Sequence, residues 1–372
     1  MSSFLWLTWK DHAHPTAGGA EVVLNELSHR LVADGHEVTW LTAAYGKATK
    51  FDEHDGINII RVGESRYVQP FQALAYYARN LRNKYDFVIE VVNTSPYFSV
   101  FFGKKSKRFL FYHQMAREVW HHETKPPLSY TGYYVFEPVA SRLLSASKVP
   151  VITVSQSTSD DLKKFGFDPD RTHVISEGIE LDPLPRPDAA QKFKRPTLIS
   201  LGAMRSMKRT IDQVKAFEIA KIDIPNLQLK IAGSTDGDYG QKVLHYIDKS
   251  LAKEDIKVYG KVSTVEKIRL LQRSHILLQT SIKEGWGLTV TEAASQGTPA
   301  VAYNVDGLRD SIKDGQTGIV TDQNPAALAA GIKKLLVSEK FYDKIRDNAW
   351  KASKKVTFDQ SYKDFKKALE LA

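Results

Sequence analysis

Two glutamates that flank a glycine-rich turn, Glu284 and Glu292, carry the clearest chemical signal in this sequence. They belong to the segment Lys-Glu-Gly-Trp-Gly-Leu-Thr-Val-Thr-Glu at residues 283–292. An ionised carboxylate accepts hydrogen bonds from vicinal hydroxyl groups such as those of a sugar. Glycines at Gly285 and Gly287 let the backbone approach a ligand closely. The spacing therefore predicts a site for a polyhydroxylated ligand.

The elements around these glutamates suit a phosphate as well. The apolar segment Ile276–Gln279 precedes the turn and is typical of a strand, and an apolar, helix-forming run follows it. A strand, a glycine turn and a helix together direct backbone N–H groups and the positive end of the helix at an anion. A nucleotide sugar carries phosphates, a ribose diol and sugar hydroxyls, so it matches all of these features.

A second glycine turn, at Gly18 and Gly19, joins the first predicted strand to the first predicted helix. Adjacent glycines there allow backbone amides to face an anion, although a flexible turn is the simpler interpretation. The pattern is not G-x-G-x-x-G directly after the strand, so a dinucleotide-binding dehydrogenase is disfavoured.

A basic loop follows the predicted strand at residues 197–201. Its cations, Arg205, Lys208 and Arg209, lie at the carboxyl edge of a sheet and can neutralise a diphosphate. A solvated helix start is the alternative interpretation of such a cluster.

His113 ends the apolar run at residues 109–112 and is a candidate catalytic histidine, with a structural role as the alternative. The His-His-Glu run at residues 121–123 suggests a metal site together with His113, but the spacing matches no usual ligand pattern. The Asp-Gly-Asp run at residues 236–238 is first of all a turn. We therefore predict no bound metal and no cofactor.

Composition limits the class of protein. The chain has 372 residues, 42% of them hydrophobic, a net charge of +9 and no cysteine, which indicates two globular domains without disulfides. It has neither a long apolar span nor a signal peptide pattern, so a cytoplasmic location is expected. The cations are not interleaved with aromatics, which disfavours nucleic acid. The basic cluster at residues 104–108 predicts a solvated loop, with an anionic membrane surface as the alternative.

Apolar strands alternate with helices through both halves, which predicts two doubly wound α/β domains with parallel sheets. The proline-rich segment at residues 181–187 reads as a linker. We therefore predict an N-terminal domain at residues 1–186 and a C-terminal domain at residues 187–356, with a last helix at residues 357–372. Ligands of such sheets bind beyond the carboxyl ends of the strands, so a site in the cleft between facing domains is expected.

Together these motifs resemble glycosyltransferase family 4, the retaining enzymes of the GT-B fold. The resemblance is strongest at Glu284 and Glu292 and at the following strand entry, residues 297–302. The segments at residues 154–158 and 176–180 are similar to landmarks of that family's first domain. The fold further implies that the last helix crosses back onto the first domain.

The resemblance implies roles for individual residues. The diphosphate is expected to contact Gly18, Gly19 and Lys208, and His113 is expected beside the donor sugar. Glu284 is expected to hold the sugar hydroxyls next to the amides of Gly285, Trp286 and Gly287, and Glu292 the ribose hydroxyls. Two positions depart from the family. Ala203 stands where the family usually has arginine, for which Arg205 is the proposed substitute, and Glu180 stands where it commonly has aspartate.

The activity implied is metal-independent, retaining transfer of a hexose from GDP-mannose or a UDP-hexose to a glycan or lipid-linked acceptor, as in polysaccharide biosynthesis. The protein would then be cytoplasmic or peripheral at the inner face of the membrane. A candidate acceptor edge is the loop at residues 120–127 with nearby Tyr130, Tyr133 and Tyr134, whose aromatics are equally consistent with packing. A sugar-nucleotide epimerase or hydrolase of the same fold, and a non-catalytic sugar-nucleotide-binding protein, are the alternatives.

Overall fold

The computed structural model describes residues 1–65, 68–103, 105–188 and 191–371. The chain forms two compact units. Unit 1 comprises Met1–Trp120, Pro126–Gly178 and Phe358–Ala372, and unit 2 comprises His121–Lys125 and Ile179–Thr357. Within the described residues, no helix combines the length and the apolar character needed to cross a membrane.

Unit 1 is built on an eight-stranded sheet with the order β3-β4-β2-β1-β5-β6-β7-β8. All neighbouring strands are parallel except β3 and β4, which form an antiparallel hairpin. The strands are β1 Ser3–Leu7, β2 Glu37–Thr42, β3 Phe51–His54, β4 Ile57–Arg61, β5 Phe87–Val91, β6 Lys107–Tyr112, β7 Val151–Thr153 and β8 Thr172–Val174.

Unit 2 is built on a six-stranded parallel sheet with the order β11-β10-β9-β12-β13-β14. Its strands are β9 Thr197–Leu201, β10 Gln228–Ala232, β11 Ile256–Gly260, β12 Ile276–Gln279, β13 Ala300–Tyr303 and β14 Gly318–Thr321. Counted from its first strand, this order is 3-2-1-4-5-6, the Rossmann order.

Helices connect the strands and cover the sheets. Their bounds are α1 Gly19–Ala33, α2 Gln69–Tyr76, α3 Val119–Glu123, α4 Leu128–Thr131, α5 Glu137–Ala146, α6 Gln156–Lys164, α7 Thr210–Asp223, α8 Asp238–Asp248, α9 Thr264–Arg273, α10 Leu288–Ser295, α11 Leu308–Ser311, α12 Pro325–Leu336, α13 Glu339–Ser353 and α14 Phe358–Ala368. Two π-helical segments, Tyr77–Leu81 and Gly132–Phe136, extend α2 and precede α5.

Burial explains why the near-continuous apolar runs become central strands. In β1, Phe4, Leu5, Trp6 and Leu7 are all fully buried, and the four residues of β12 are buried as well. A parallel strand covered by helices on both faces loses apolar surface on both, which favours an unbroken apolar run over alternation. The predicted fold class, two Rossmann-like α/β domains, is confirmed.

Two strands of unit 1, β3 and β8, lack an apolar run and were not predicted from the sequence. β3 reads Phe-Asp-Glu-His, pairs on one side only and is largely exposed. β8 has three residues and lies at the opposite edge of the same sheet. An edge strand buries little, so its sequence carries no apolar pattern.

A half-buried histidine, His275, predicts how the stability of unit 2 depends on pH. His275 Nδ1 accepts a hydrogen bond from the Thr197 N–H at 3.1 Å, which requires a neutral ring nitrogen. Burial, and next the positive charge of Lys192, lower the pKa of His275 from 6.5 to about 4. The unfolded chain therefore takes up a proton below pH 6.5 that the folded chain refuses, and stability falls as the pH drops from 6.5 to about 4.

We expect the protonation of His275 on unfolding to lower the free energy of unfolding by about 2–3 kcal/mol as the pH falls across that range. Urea unfolding at pH 7 and pH 4.5 measures the loss, with His275→Asn as the non-titrating comparison. An equal loss in both proteins would show that other groups cause it.

Candidate functional site

The candidate site of unit 2 lies where its strand order reverses, between β9 and β12. On either side of this point the connections leave the sheet in opposite directions, which opens a crevice beyond the carboxyl ends of the two strands. The loops that follow these strands, residues 202–209 and 280–287, carry most of the predicted donor-binding residues of unit 2, while Glu292 follows on α10 and Gly18 and Gly19 lie in unit 1. The topology therefore brings together two segments that are far apart in the sequence.

Hydrogen bonds to backbone carbonyls tie the two loops to each other. The Ile282 N–H donates to the Met207 carbonyl at 2.8 Å, and the Thr280 hydroxyl donates to the Lys208 carbonyl at 2.7 Å. The first loop turns through the short 3₁₀ segment Ser206–Lys208, and Arg209 follows with a φ of +50°. These contacts fix the position from which the Lys208 side chain projects.

Lys208 and Glu284 form an ion pair in this crevice. Lys208 Nζ lies 2.5 Å from Glu284 Oε1, which also accepts a hydrogen bond from the Ser281 hydroxyl at 2.5 Å. Their side chains are only 25% and 16% exposed, so the pair is less screened by water than a surface pair would be. A cation suited to phosphate and a carboxylate suited to hydroxyls are thus adjacent before any ligand binds.

The backbone at Glu284 is held from its other side by the turn after β13. The Glu284 N–H donates to the Asp306 carbonyl at 3.1 Å, and Lys283 Nζ lies 2.5 Å from Asp306 Oδ2. Gly307 has a φ of +79°, and a Cβ there would lie 2.3 Å from the Glu284 carbonyl oxygen. Only glycine allows this close approach, so the turn is built to place Glu284.

The turn ends at the N-terminus of α10. Gly287 has a φ of +88° and precedes the first residue of the helix, Leu288. The first N–H groups of a helix have no partner within the helix and, with its dipole, favour an anion. Trp286 is anchored on α10, because its Nε1 donates to the Thr291 hydroxyl at 2.9 Å.

Glu292 lies on α10 and pairs with Lys267 of α9, whose Nζ is 2.8 Å from Glu292 Oε1. Burial raises the pKa of Glu292; the charge and the hydrogen bond of Lys267 oppose this, and the nearby Glu180 adds to it. Lys267 was not predicted from the sequence, since an isolated lysine on an amphipathic helix carries no signal. The second carboxylate is therefore held in a defined orientation by a cation from a neighbouring helix.

Arg205, the proposed substitute for the missing family arginine, is engaged by a carboxylate. Its Nη2 and Nε lie 2.9 and 3.2 Å from Glu123 Oε2, while Glu123 Oε1 accepts from the Met207 N–H at 3.1 Å. The neighbouring Arg209 pairs with Asp212 at 2.6 Å. The role of Arg205 toward a diphosphate stays a prediction.

In unit 1 the predicted glycine turn already has an anion of its own. The Gly18 N–H donates to the Glu21 carboxylate at 2.7 Å, and α1 begins at Gly19. A ligand phosphate at this turn would replace an internal carboxylate, so the geometry is consistent with anion binding. The role of these two glycines toward a donor stays a prediction.

His113 follows β6 and is oriented by a carboxylate that the sequence analysis did not single out. Its Nδ1 lies 2.9 Å from Glu177 Oε1, and both side chains are mostly buried. A hydrogen bond to an ionised carboxylate, which only accepts, requires the proton on Nδ1, and in the neutral ring this leaves Nε2 as the accepting nitrogen. Within the described residues, His113 Nε2 is buried and has no hydrogen-bond partner.

The segment that carries Glu177 is fastened by α14, the last helix, which belongs to unit 1. The Ser176 N–H donates to Asp364 at 3.2 Å, and the Gly178 N–H donates to the Ser361 hydroxyl at 2.8 Å. A Cβ at Gly178 would lie 2.4 Å from the Phe358 nitrogen, so the helix packs directly on this backbone.

The candidate acceptor edge separates into packed and exposed side chains. Trp120 is buried, and its Nε1 donates to Glu137 at 3.1 Å. Tyr133 lies under the guanidinium of Arg117, with 4.2 Å between the Arg117 Cζ and the ring centroid. Tyr130 and Tyr134 are exposed, and their near-parallel rings lie 6.4 Å apart.

The class of protein follows from two features. The chain has two Rossmann-like units, and unit 2 carries a cation and a carboxylate at its switch point. Residues 17–183 match the family described as Glycosyltransferase Family 4, and residues 186–352 match the family described as Glycosyl transferases group 1. Together these matches span most of the chain. The chain therefore belongs to the family 4 glycosyltransferases, as the motifs imply.

Individual relatives agree with this family. Poly(glycerol-phosphate) alpha-glucosyltransferase of Bacillus subtilis (strain 168) is 29% identical over 227 residues, or 59% of this chain and 32% of that enzyme. Across six curated relatives, the chain spans 32% to 45% of their length.

Solved structures show the same fold over the whole chain. Sucrose-phosphate synthase from Thermosynechococcus elongatus has a TM-score of 0.77 at 16% identity, with coverage of 100% of this chain and 98% of that one. HepE from Anabaena, solved in complex with UDP-glucose, has a TM-score of 0.74 at 16% identity, with full coverage of both chains. At these identities the likeness concerns the fold.

Proposed function

We propose that this protein is a retaining glycosyltransferase that moves a hexose from a nucleotide-diphosphate sugar to a glycan or lipid-linked acceptor. The observation that carries the proposal is the Lys208–Glu284 ion pair, placed at the switch point of unit 2 beside the N-terminus of α10. This arrangement offers a cation and helix amides to phosphate, and a carboxylate to hydroxyl groups. A nucleotide sugar requires all of these at once.

The proposed mechanism needs no bound metal. As the bond to the sugar breaks, negative charge develops on the donor β-phosphate, and Lys208 with the amides of residues 285–287 stabilises it from fixed positions. The acceptor attacks from the face that the leaving group departs from, and the departing phosphate oxygen takes the acceptor's proton. Retention and metal independence rest on the family resemblance.

The donor is GDP-mannose or a UDP-hexose, and the UDP-glucose complex of HepE supports the second. A thermal-shift screen of the purified protein against GDP, UDP, ADP, CMP and their sugar conjugates, with EDTA present, tests the donor class. A ligand that binds only the folded state raises the melting temperature. A shift confined to one nucleoside diphosphate family identifies the donor, and no shift with any of them contradicts the proposal.

Product analysis separates the proposed transferase from its alternatives. With the identified donor, an epimerase yields a new nucleotide sugar and a hydrolase yields free sugar without an acceptor. A non-catalytic binding protein yields neither, and His113→Ala would leave its nucleotide affinity unchanged. Acceptor-dependent release of the nucleoside diphosphate supports transfer.

Glu292 is proposed to bind the ribose hydroxyls, which makes a prediction for nucleotide affinity. We expect Glu292→Ala to weaken binding of the nucleoside diphosphate by about 10- to 100-fold, since hydrogen bonds to a charged group contribute about 1.5–3 kcal/mol. Isothermal titration measures the change. Glu254→Ala, an exposed glutamate of the same unit, is the matched control, and equal affinity in wild type and Glu292→Ala would refute the assignment.

An exposed apolar face in unit 1 favours an acceptor carried on an anionic lipid surface. It runs along the continuous segment formed by α4, the π-helical segment and α5, and its members share a high exposure. They are Leu128, Tyr130, Tyr134, Val135, Phe136, Val139 and Leu143. Tyr134 is 66% exposed and Leu143 is 51% exposed, which is costly for a helix that faces only water.

Arg142 and Lys148, both exposed near this face, and the net charge of +9 complement an anionic headgroup layer. In the basic cluster at residues 104–108, Lys104 lies outside the described residues. Sedimentation with anionic and neutral vesicles tests this part of the proposal. Co-sedimentation of the wild type with anionic vesicles, abolished by Leu143→Glu, supports it. If the wild type sediments to the same extent with and without vesicles, this part of the proposal is contradicted.

A further inference from the structure

A second cluster of chemically reactive side chains lies in unit 1, outside the residues discussed above. His29 lies on α1, while His54 ends β3 and Asp55 forms the turn to β4. Their ligand-type atoms, two imidazole nitrogens and a carboxylate oxygen, all lie within 4.8 Å of one another. The sequence gives no hint of this, since the three residues belong to no spaced motif.

The distances are close to those between the ligands of one metal ion. His54 Nε2 lies 3.3 Å and His29 Nε2 lies 3.7 Å from the same oxygen, Asp55 Oδ2. Nitrogen and oxygen ligands at about 2.0–2.1 Å from a tetrahedral ion lie about 3.3 Å from one another. The three atoms are therefore spaced to share one ion with small side-chain rotations.

One of these atoms has no hydrogen bond. Within the described residues, His29 Nε2 is buried and lacks a hydrogen-bond partner. Buried polar atoms are nearly always hydrogen-bonded, so an orphaned imidazole nitrogen needs a reason. A metal ion between His29 and Asp55 supplies one, because an unprotonated imidazole nitrogen is a good ligand.

The surroundings hold the cluster in shape. Asp55 has a φ of +48°, and a Cβ at the following Gly56 would lie 2.8 Å from Val32 of α1, so the turn packs closely on this helix. The ring of His12 stacks on the ring of His54 with 3.8 Å between centroids. Such supporting contacts orient a ligand ring before an ion binds.

A nearby cation is neutralised and does not repel an ion. Arg61 pairs with Asp11 at 2.6 Å and with Asp52 at 3.0 Å, so it is balanced by two carboxylates. Asp55 is 67% exposed, which leaves one side of the cluster open to water for a fourth ligand. Asp55 supplies the one carboxylate among the three ligand side chains.

We propose that His29, His54 and Asp55 bind a divalent transition-metal ion of the zinc type, which fastens α1 to the turn between β3 and β4. Two imidazoles and one carboxylate form a ligand set that suits zinc, whereas magnesium and calcium prefer oxygen ligands. The site stabilises the unit and takes no part in sugar transfer. It does not depend on the proposed function.

Zinc titration of the tag-free, chelator-treated full chain tests the site, with a chromophoric chelator as competitor. We expect one equivalent of Zn²⁺ to bind, and an excess of Zn²⁺ but not of Mg²⁺ to raise the melting temperature by about 5 °C. Substituting Co²⁺ should produce the visible absorption of a nitrogen- and oxygen-ligated ion.

Asp55→Asn is the decisive variant. Asparagine tolerates the positive φ at this exposed turn, so the variant keeps the fold while it loses the charge. We expect Asp55→Asn and His54→Ala to bind Zn²⁺ at least tenfold more weakly, and His245→Ala, a histidine of α8 in unit 2, to bind as wild type does. Any other pattern, including a wild type that binds no Zn²⁺ or an Asp55→Asn that binds as tightly, overturns the site.

Discussion

Lys208→Ala is expected to lower kcat/KM for sugar transfer by about 100- to 1000-fold, the usual effect of removing one donor from a preorganised anion site. This lysine is paired with Glu284, and its side chain is 25% exposed. Its ammonium group is therefore already positioned in a partly dehydrated crevice and needs no reorganisation when charge develops on the phosphate. Steady-state kinetics with the identified donor measures the change.

The matched control for this variant is Lys215→Ala. Lys215 is an exposed lysine on α7, the helix that follows the same loop. It should retain wild-type kinetics, since it lies on the helix surface. A Lys208→Ala protein with full kcat/KM would remove the lysine from the diphosphate role.

Glu284→Gln is expected to lower kcat by about 100-fold while the affinity for the nucleoside diphosphate stays within a factor of about three, as for a contact made mainly in the transition state. The amide keeps the size of the side chain but loses the charge that holds Lys208. It also loses the strongest acceptor for the sugar hydroxyls. Both losses fall on the reacting end of the donor and leave the ribose contacts intact.

This result should be the opposite of the one expected for Glu292→Ala, which acts on affinity. Comparing kcat with the dissociation constant of the nucleotide in both variants therefore separates the two carboxylates, and Glu254→Gln serves as the control. A Glu284→Gln protein that loses nucleotide affinity and keeps its kcat would reverse the assignment.

The sequence alone was sufficient for the fold class, and it supplied the candidate residues for donor binding, whose roles stay predictions. Central parallel strands such as β1 and β12 are buried on both faces, and they therefore appear in the sequence as near-continuous apolar runs. The turn at Gly287 is also visible in the sequence as a glycine, because a φ of +88° is a backbone conformation that few other residues adopt. Burial of a strand and a positive φ at a turn each restrict the residue types at those positions, so both can be predicted from the local sequence.

Pairings between distant residues left no such pattern. Lys208 with Glu284, Lys267 with Glu292, and His113 with Glu177 each join segments that meet only through the order of strands in a sheet. The engagement of Arg205 by Glu123 and the histidine cluster at the β3–β4 turn are of the same kind. An ion pair requires two side chains to be a few ångströms apart, and that distance is set by tertiary packing. The sequence therefore predicted the candidate residue types and the turns that need glycine. The tertiary structure determined which charged side chains pair with each other.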